Sequence, residues 1–213
     1  MATNTTFATL QEDVRNYLER GSATTDPVVY AQIPRLINLA ERRMARELKV
    51  QGFISSVTQT MTAGQAVYSK PDRWRDTVSI NVYDATSRSP VFPRSYEYIR
   101  AYAPVTAATG TPEFYADYDY EHWLFAPAPA TAVSMEVLYY ALPPLLDDTN
   151  QSNWLTDYAP EALLYATLME AALFLKDDTR LATFQSMYDR AAGMLNGEDL
   201  AKIVDRSSMR KEA

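Results

Sequence analysis

The densest group of residues able to do chemistry lies in one short stretch. Asp117-Tyr118-Asp119-Tyr120-Glu121 places three carboxylates at alternate positions, and His122, the single histidine of the chain, follows directly. Alternate residues of a β-strand share a face, so the carboxylates would form one row opposite Tyr118 and Tyr120. Such a row could bind Ca²⁺ or supply an acid/base pair. Two features weigh against that chemistry. A calcium loop needs glycine at its sixth position, where His122 stands. His122 also has no partner motif, because the chain lacks cysteine, G-x-S-x-G, H-E-x-x-H and any glycine-rich phosphate loop. A solvated acidic face is the plainer reading, and neither a metal nor a cofactor is expected.

Aromatic residues crowd the stretch 96–140. Such density suits a platform on which sugars or bases stack, and equally a contact between subunits. Tyr115, Tyr118, Tyr120, Trp123, Tyr139 and Tyr140 are the expected subunit-interface residues. A separate cationic set, Arg35, Arg42, Arg46 and Lys49, recurs on one face of an expected helix. It could touch nucleic-acid phosphates, but a solvated face near the C-terminal end, where the helix dipole favours cations, is the commoner case. The net charge of −7 argues against a chain that grips nucleic acid by overall charge. It does not argue against one that DNA slides past.

The elements that position these groups follow from periodicity. The stretch 157–176, DYAPEALLYATLMEAALFLK, is apolar nearly all round from Ala162 to Leu175 apart from Thr167 and Glu170. A helix of that kind must be covered on several sides, within the chain or in part by another subunit. It is too short to span a bilayer. Before it, residues 5–20 read as a helix capped by Thr5 or Thr6 and closed by Gly21. A second helix starts at Asp26-Pro27 and runs to about Lys49, with Ile33, Leu36, Ile37, Ala40, Met44 and Leu48 as its buried stripe. After Gly52 the pattern switches to alternation: 56–62, 66–68, 77–83, a short piece between Pro90 and Pro93, a hairpin of 114–120 with 123–125, and 135–140. Ser95 caps a short helix over 95–101. The last helix is expected over about 178–196, ended by Gly197. The fold class is therefore α+β: an antiparallel bundle of about four helices from both termini, with an inserted antiparallel β region of about six strands. The expected domains are 1–51 plus 153–198 (helical), 52–145 (β) and a tail, 199–213, flexible until docked.

With 213 residues, 47% of them hydrophobic and 22% charged, the chain has the composition of an ordinary globular protein of one or two domains. Its terminus has no signal core, and no stretch reads as a membrane span. Zero cysteine fits assembly in a reducing cytoplasm.

Three stretches together carry a likeness: Phe92-Pro93-Arg94-Ser95-Tyr96-Glu97-Tyr98, Gly110-Thr111-Pro112-Glu113-Phe114-Tyr115-Ala116, and Asn153-Trp154-Leu155-Thr156-Asp157-Tyr158-Ala159-Pro160. In them the chain resembles tailed-phage head-to-tail adaptors, the connector group that includes tail tubular protein A of short-tailed phages. The resemblance implies a non-enzymatic virion protein of the neck, assembled in the host cytoplasm. It implies a homo-oligomeric, dodecameric ring between the portal protein and a tail nozzle or other tail components, through which DNA passes without specific binding. It also implies a portal-binding role for the C-terminal segment, with Lys202, Ile203, Arg206, Arg210 and Lys211 as the expected contacts. The rival is a carbohydrate-binding or carbohydrate-degrading phage tail protein that uses the acidic, aromatic hairpin 113–125. A nucleic-acid-binding module using Arg35, Arg42 and Arg46 is the third reading.

Overall fold

The computed structural model describes residues 5–104 and 108–208, the side chains of 198–208 excepted. The chain divides into two compact units, one made of residues up to Phe53 and from Leu142 onward, the other of Ile54–Ala141.

In the first unit α1 spans Phe7–Tyr17 and α2 spans Pro27–Glu47. Thr6 caps α1 reciprocally with Thr9, which stands where a capping box more often has Glu. The chain turns out of α1 through Glu19, which is left-handed at φ 55°. Gly21 is not that turn; it lies where Thr25 comes so close that a Cβ would sit 2.3 Å from the Thr25 hydroxyl. The expected stripe of α2, from Ile33 to Leu48, is buried throughout.

In this unit α4 covers Trp154–Tyr158, α5 covers Pro160–Leu175 and α6 covers Asp178–Ser208. Helices α1, α2, α4 and α6 all pack against α5, which is why α5 could lose a polar face. The two polar residues within its apolar run are satisfied: Thr167 donates to Leu163 O at 2.8 Å, and Glu170 pairs with Arg43 at 3.0 Å. Lys176, left-handed at φ 57°, ends the helix, and Asp177 N–H closes it onto Ala172 O. Gly197 does not stop α6, which runs through it to Ser208. Glycine costs a helix interior about 1 kcal/mol and does not forbid it.

The second unit holds β1 (Ile54–Met61), β2 (Val67–Ser69), β3 (Trp74–Tyr83), β4 (Arg88–Pro93), α3 (Tyr96–Tyr102), β5 (Thr109–Gly110), β6 (Phe114–Asp117), β7 (His122–Ala126), β8 (Ala128–Pro129) and β9 (Val133–Ala141). Seven strands form one sheet in the order β1-β9-β3-β4-β6-β7-β2, and β5 and β8 form a small second one. β1 and β2 are consecutive in sequence, joined by a turn at Gly64, yet stand at opposite edges. The sheet must curl until its edges nearly meet. Tyr68 on β2 bridges them, its hydroxyl accepting from Thr62 N at 2.8 Å and donating to Thr62 O at 3.0 Å. Met61, Tyr68, Ile80, Val91, Tyr115, Phe125 and Met135 then share one interior. Two register shifts along β3 against β9 add the local bend that such curling needs.

This architecture corrects the expected one. The protein is α+β, but its described residues form six helices and a large, nearly closed, mixed sheet instead of a four-helix bundle with an inserted antiparallel β region. The mixed character has a local cause. Parallel neighbours need a crossover between them, and α3 lies between β4 and β6, so these two strands pair parallel, Phe92 opposite Phe114.

Candidate interaction surface and the groups around it

The acidic stretch does not form a row. β6 ends at Asp117, and the four residues 118–121 turn the chain into β7. Asp117 takes the Lys70 ammonium at 2.7 Å. Lys70 also donates to Asp119 O at 3.0 Å and sits 3.8 Å from the centre of the Trp74 ring. Asp119 faces His122 instead, with Nδ1 2.9 Å from either carboxylate oxygen. Among the described residues no three acids or histidines come together to hold a metal ion. A cleft of about 420 Å³ beside the turn is lined by Lys70, Arg73, Trp74, Tyr120, Glu121 and His122. Two of the three carboxylates that the hairpin reading needed are thus engaged by internal partners.

The tyrosines separate by the alternation of their strands. Tyr115 and Tyr139 point into the curled sheet and Trp123 is fully covered, so these three expected interface residues pack within the subunit. Burial pushes the Tyr115 hydroxyl up to about 12, and the charge of Asp117 adds to this. Tyr140 is half-buried on the other face of β9. Tyr118 and Tyr120 stand in the turn with 46% and 80% of their surface exposed.

A larger exposed aromatic surface lies elsewhere, on α3 and its neighbours. Ser95 caps α3 by accepting from Tyr98 N. Ile99 alone turns fully inward, onto Ala116 and Leu124 of the sheet's outer face. Tyr96, Tyr98 and Tyr102 are left outward. Tyr98 and Tyr102 stack at 6.2 Å, and both meet the Phe114 ring edge-on at 5.5 and 5.1 Å. Arg94 lies over Tyr98 and Phe114, and Arg100 over Tyr96. Tyr102 donates to Glu113 at 3.1 Å. Two of the stretches that carried the resemblance, 92–98 and 110–116, therefore meet in one place. Tyrosine and arginine presented together on a rigid element are the residue types enriched at protein interfaces. Sequence reading saw the aromatic density but not this grouping, because α3 brings Tyr98 and Phe114 together only through the parallel pair.

The third stretch, 153–160, has an internal role. Asn153 caps α4, its Oδ1 accepting from Leu155 N and Thr156 N. Its Nδ2 donates to Glu41 at 2.6 Å and to Pro144 O at 3.0 Å. Glu41, wholly buried on α2, also accepts from Leu146 N. Burial pushes its carboxyl up to about 7 against the pull of these hydrogen bonds and of Arg42. Trp154 covers Gly52 so closely that a Cβ there would lie 2.0 Å from the indole. Phe53 meets that indole edge-on at 5.5 Å.

On α2 the outward residues Arg35, Arg42 and Arg46 are exposed, as is Lys49 just past its end. Of the expected portal contacts, Lys202, Ile203 and Arg206 fall on the backbone of α6, while Arg210 and Lys211 lie outside the described residues. Among the described residues no helix is long and apolar enough to cross a membrane.

No curated protein matches the chain. The family model described as SU10 adaptor protein matches residues 5–210, which takes in both units, the α3 surface and the Glu41–Asn153 latch. By that match over nearly its whole length, the chain belongs to the SU10 adaptor protein family.

Proposed function

We propose that this phage adaptor works as a ring of identical copies between the portal protein and the tail, with DNA passing through its centre and no reaction catalysed. The family match carries the reading. Two features of the fold support it. The exposed surfaces are built for contact, with the tyrosine–arginine face of α3 and the Tyr118/Tyr120 turn held on a rigid, nearly closed sheet. Two of the three carboxylates that a sugar-acting hairpin would use are engaged: Asp117 by Lys70 and Asp119 by His122.

In this reading the α3 face and the Tyr118/Tyr120 turn meet neighbouring copies or tail components. The end of α6 and the residues after it, including Lys202, Ile203, Arg206, Arg210 and Lys211, reach the portal. Removal of residues 200–213 from the full chain tests this directly. The truncated protein should keep its far-ultraviolet helical signal in its remaining helices and lose co-purification with portal particles. Undiminished portal capture would take the C-terminal segment out of the account. The carbohydrate alternative is separated by replacing Asp117 and Asp119 with Asn, which should leave assembly intact. Glycan binding that vanished with these carboxylates would favour the rival.

A further inference from the structure

One face of α2 stands apart from the rest of the surface. Positions 35, 42 and 46 are seven and four residues apart, which places Arg35, Arg42 and Arg46 on one side of the helix along about 16 Å of its axis. That side is turned away from the buried stripe, and all three side chains are exposed. Their neighbour Arg43 points the other way and pairs with Glu170 and Glu47. The acids of α2 both have partners: buried Glu41 accepts from Leu146 N and Asn153, and exposed Glu47 accepts from the Tyr188 hydroxyl at 2.5 Å. Among the described residues none of the three outward arginines makes an ion pair, in a chain whose net charge is −7. Several other arginines find partners: Arg15 with Glu12, Arg88 with Glu136, Arg180 with Glu19, and Arg94 and Arg100 with aromatic rings. Arg20, Arg73, Arg75 and Arg190 make no ion pair among the described residues either, but they are scattered and do not share one helix face. The outward face of α2 is thus a short cationic strip with no acid of its own, on an otherwise acidic protein.

We propose that this strip contacts the phosphodiester backbone of the DNA that traverses the ring, through Arg35, Arg42 and Arg46. The inference rests on the ring reading above and adds which face meets the DNA. The geometry suits a backbone and not base readout: the cations are spread along one helix face, and three per copy repeat around the ring. Guanidinium–phosphate contacts of this kind are sequence-independent and weaken steeply with salt. An acidic surplus elsewhere keeps the total adhesion low while the strip keeps the duplex centred.

The test uses full-length protein assembled with portal into rings, and a short duplex of random sequence followed by fluorescence anisotropy over a salt series. Two variants are compared with the natural chain: Arg35→Gln, Arg42→Gln, Arg46→Gln together, and the same three positions changed to Lys. These changes sit on an exposed helix face and conserve helix propensity, so both variants should fold. The glutamine variant should bind at least tenfold more weakly at low salt, and its log–log salt slope should be shallower by about 0.9 for each phosphate no longer neutralised. The lysine variant should keep most of the slope. Rings of the glutamine variant that form normally and bind with the slope of the natural chain would overturn the assignment and leave the ring reading standing. A glutamine variant that no longer assembles would overturn it too, by showing that another protein covers the strip. If the natural chain forms no ring, the parent reading fails, and the same titration on the free chain still decides the arginines: an unchanged slope overturns the phosphate assignment.

Discussion

Replacing Glu41 by Gln should flatten the pH dependence of the helical unit's stability. Glu41 is buried on α2, with Leu146 N–H and Asn153 Nδ2 as its hydrogen-bond donors. Its carboxyl is raised from 4.5 to about 7, chiefly by burial. In the folded chain it therefore holds a proton over a range where the unfolded chain has released it. Stability is full below the unfolded value and falls as pH rises through the folded one. With about 1.36 kcal/mol for each pH unit between the unfolded and folded values, the whole effect is about 3 kcal/mol, most of it lost between pH 5 and pH 8. The glutamine variant carries no such proton. It forfeits some hydrogen bonding, but by an amount that does not vary with pH. Urea unfolding followed by the far-ultraviolet helical signal, at several pH values from 5 to 8, should show the natural chain losing roughly 2–3 kcal/mol relative to the variant across that span. Parallel curves for the two proteins would refute the claim that a buried carboxyl latches α2 to the segment before α4.

Further outcomes follow from neighbouring geometry. Asn153→Asp keeps the cap on α4 but puts a second carboxylate where the 2.6 Å donor to Glu41 was, so it should cost roughly 2–4 kcal/mol at pH 8 and less at pH 5 in the same urea assay. Gly52→Ala forces a methyl group to within 2.0 Å of the Trp154 indole and should cost about 1–3 kcal/mol, with a change in tryptophan fluorescence as the ring shifts off Phe53. Tyr98→Ala with Tyr102→Ala removes two exposed rings that pack on Phe114; it should lower stability by about 1 kcal/mol per ring and abolish ring formation, or tail binding to portal-bound particles, by negative-stain microscopy. Full assembly by that double variant would move the contact surface away from α3.

The helical unit was legible because its signals are local. The Pro27 start, the Ile33–Leu48 stripe and the all-round apolar α5 need only helical spacing and a cap to be read. The Glu41 latch left a trace that reading for function passed over: position 41 lies four residues after Ile37 and three before Met44, so an acid interrupts a buried stripe. The β unit was legible strand by strand but not as a sheet. Nothing in the spacing of Val67–Ser69 shows that β2 pairs with β7 and stands at the far edge from β1, because pairing across such separations is set by the closed interior that Met61, Tyr68 and Phe125 share. The acidic row failed for a similar reason. Strand alternation stops at Asp117, and through Tyr118–Glu121 Asp119 accepts from Glu121 N and turns the chain. That Tyr115 and Tyr139 lie on the inner face was not legible, because which face of a strand is the inside depends on the direction in which the sheet curls.

Electron microscopy of the full-length protein mixed with portal particles tests the central claim most directly. The account predicts a single additional ring of this chain seated on the portal, with an open axial channel. Portal particles left bare at saturating protein, with the chain remaining monomeric beside them, would contradict it.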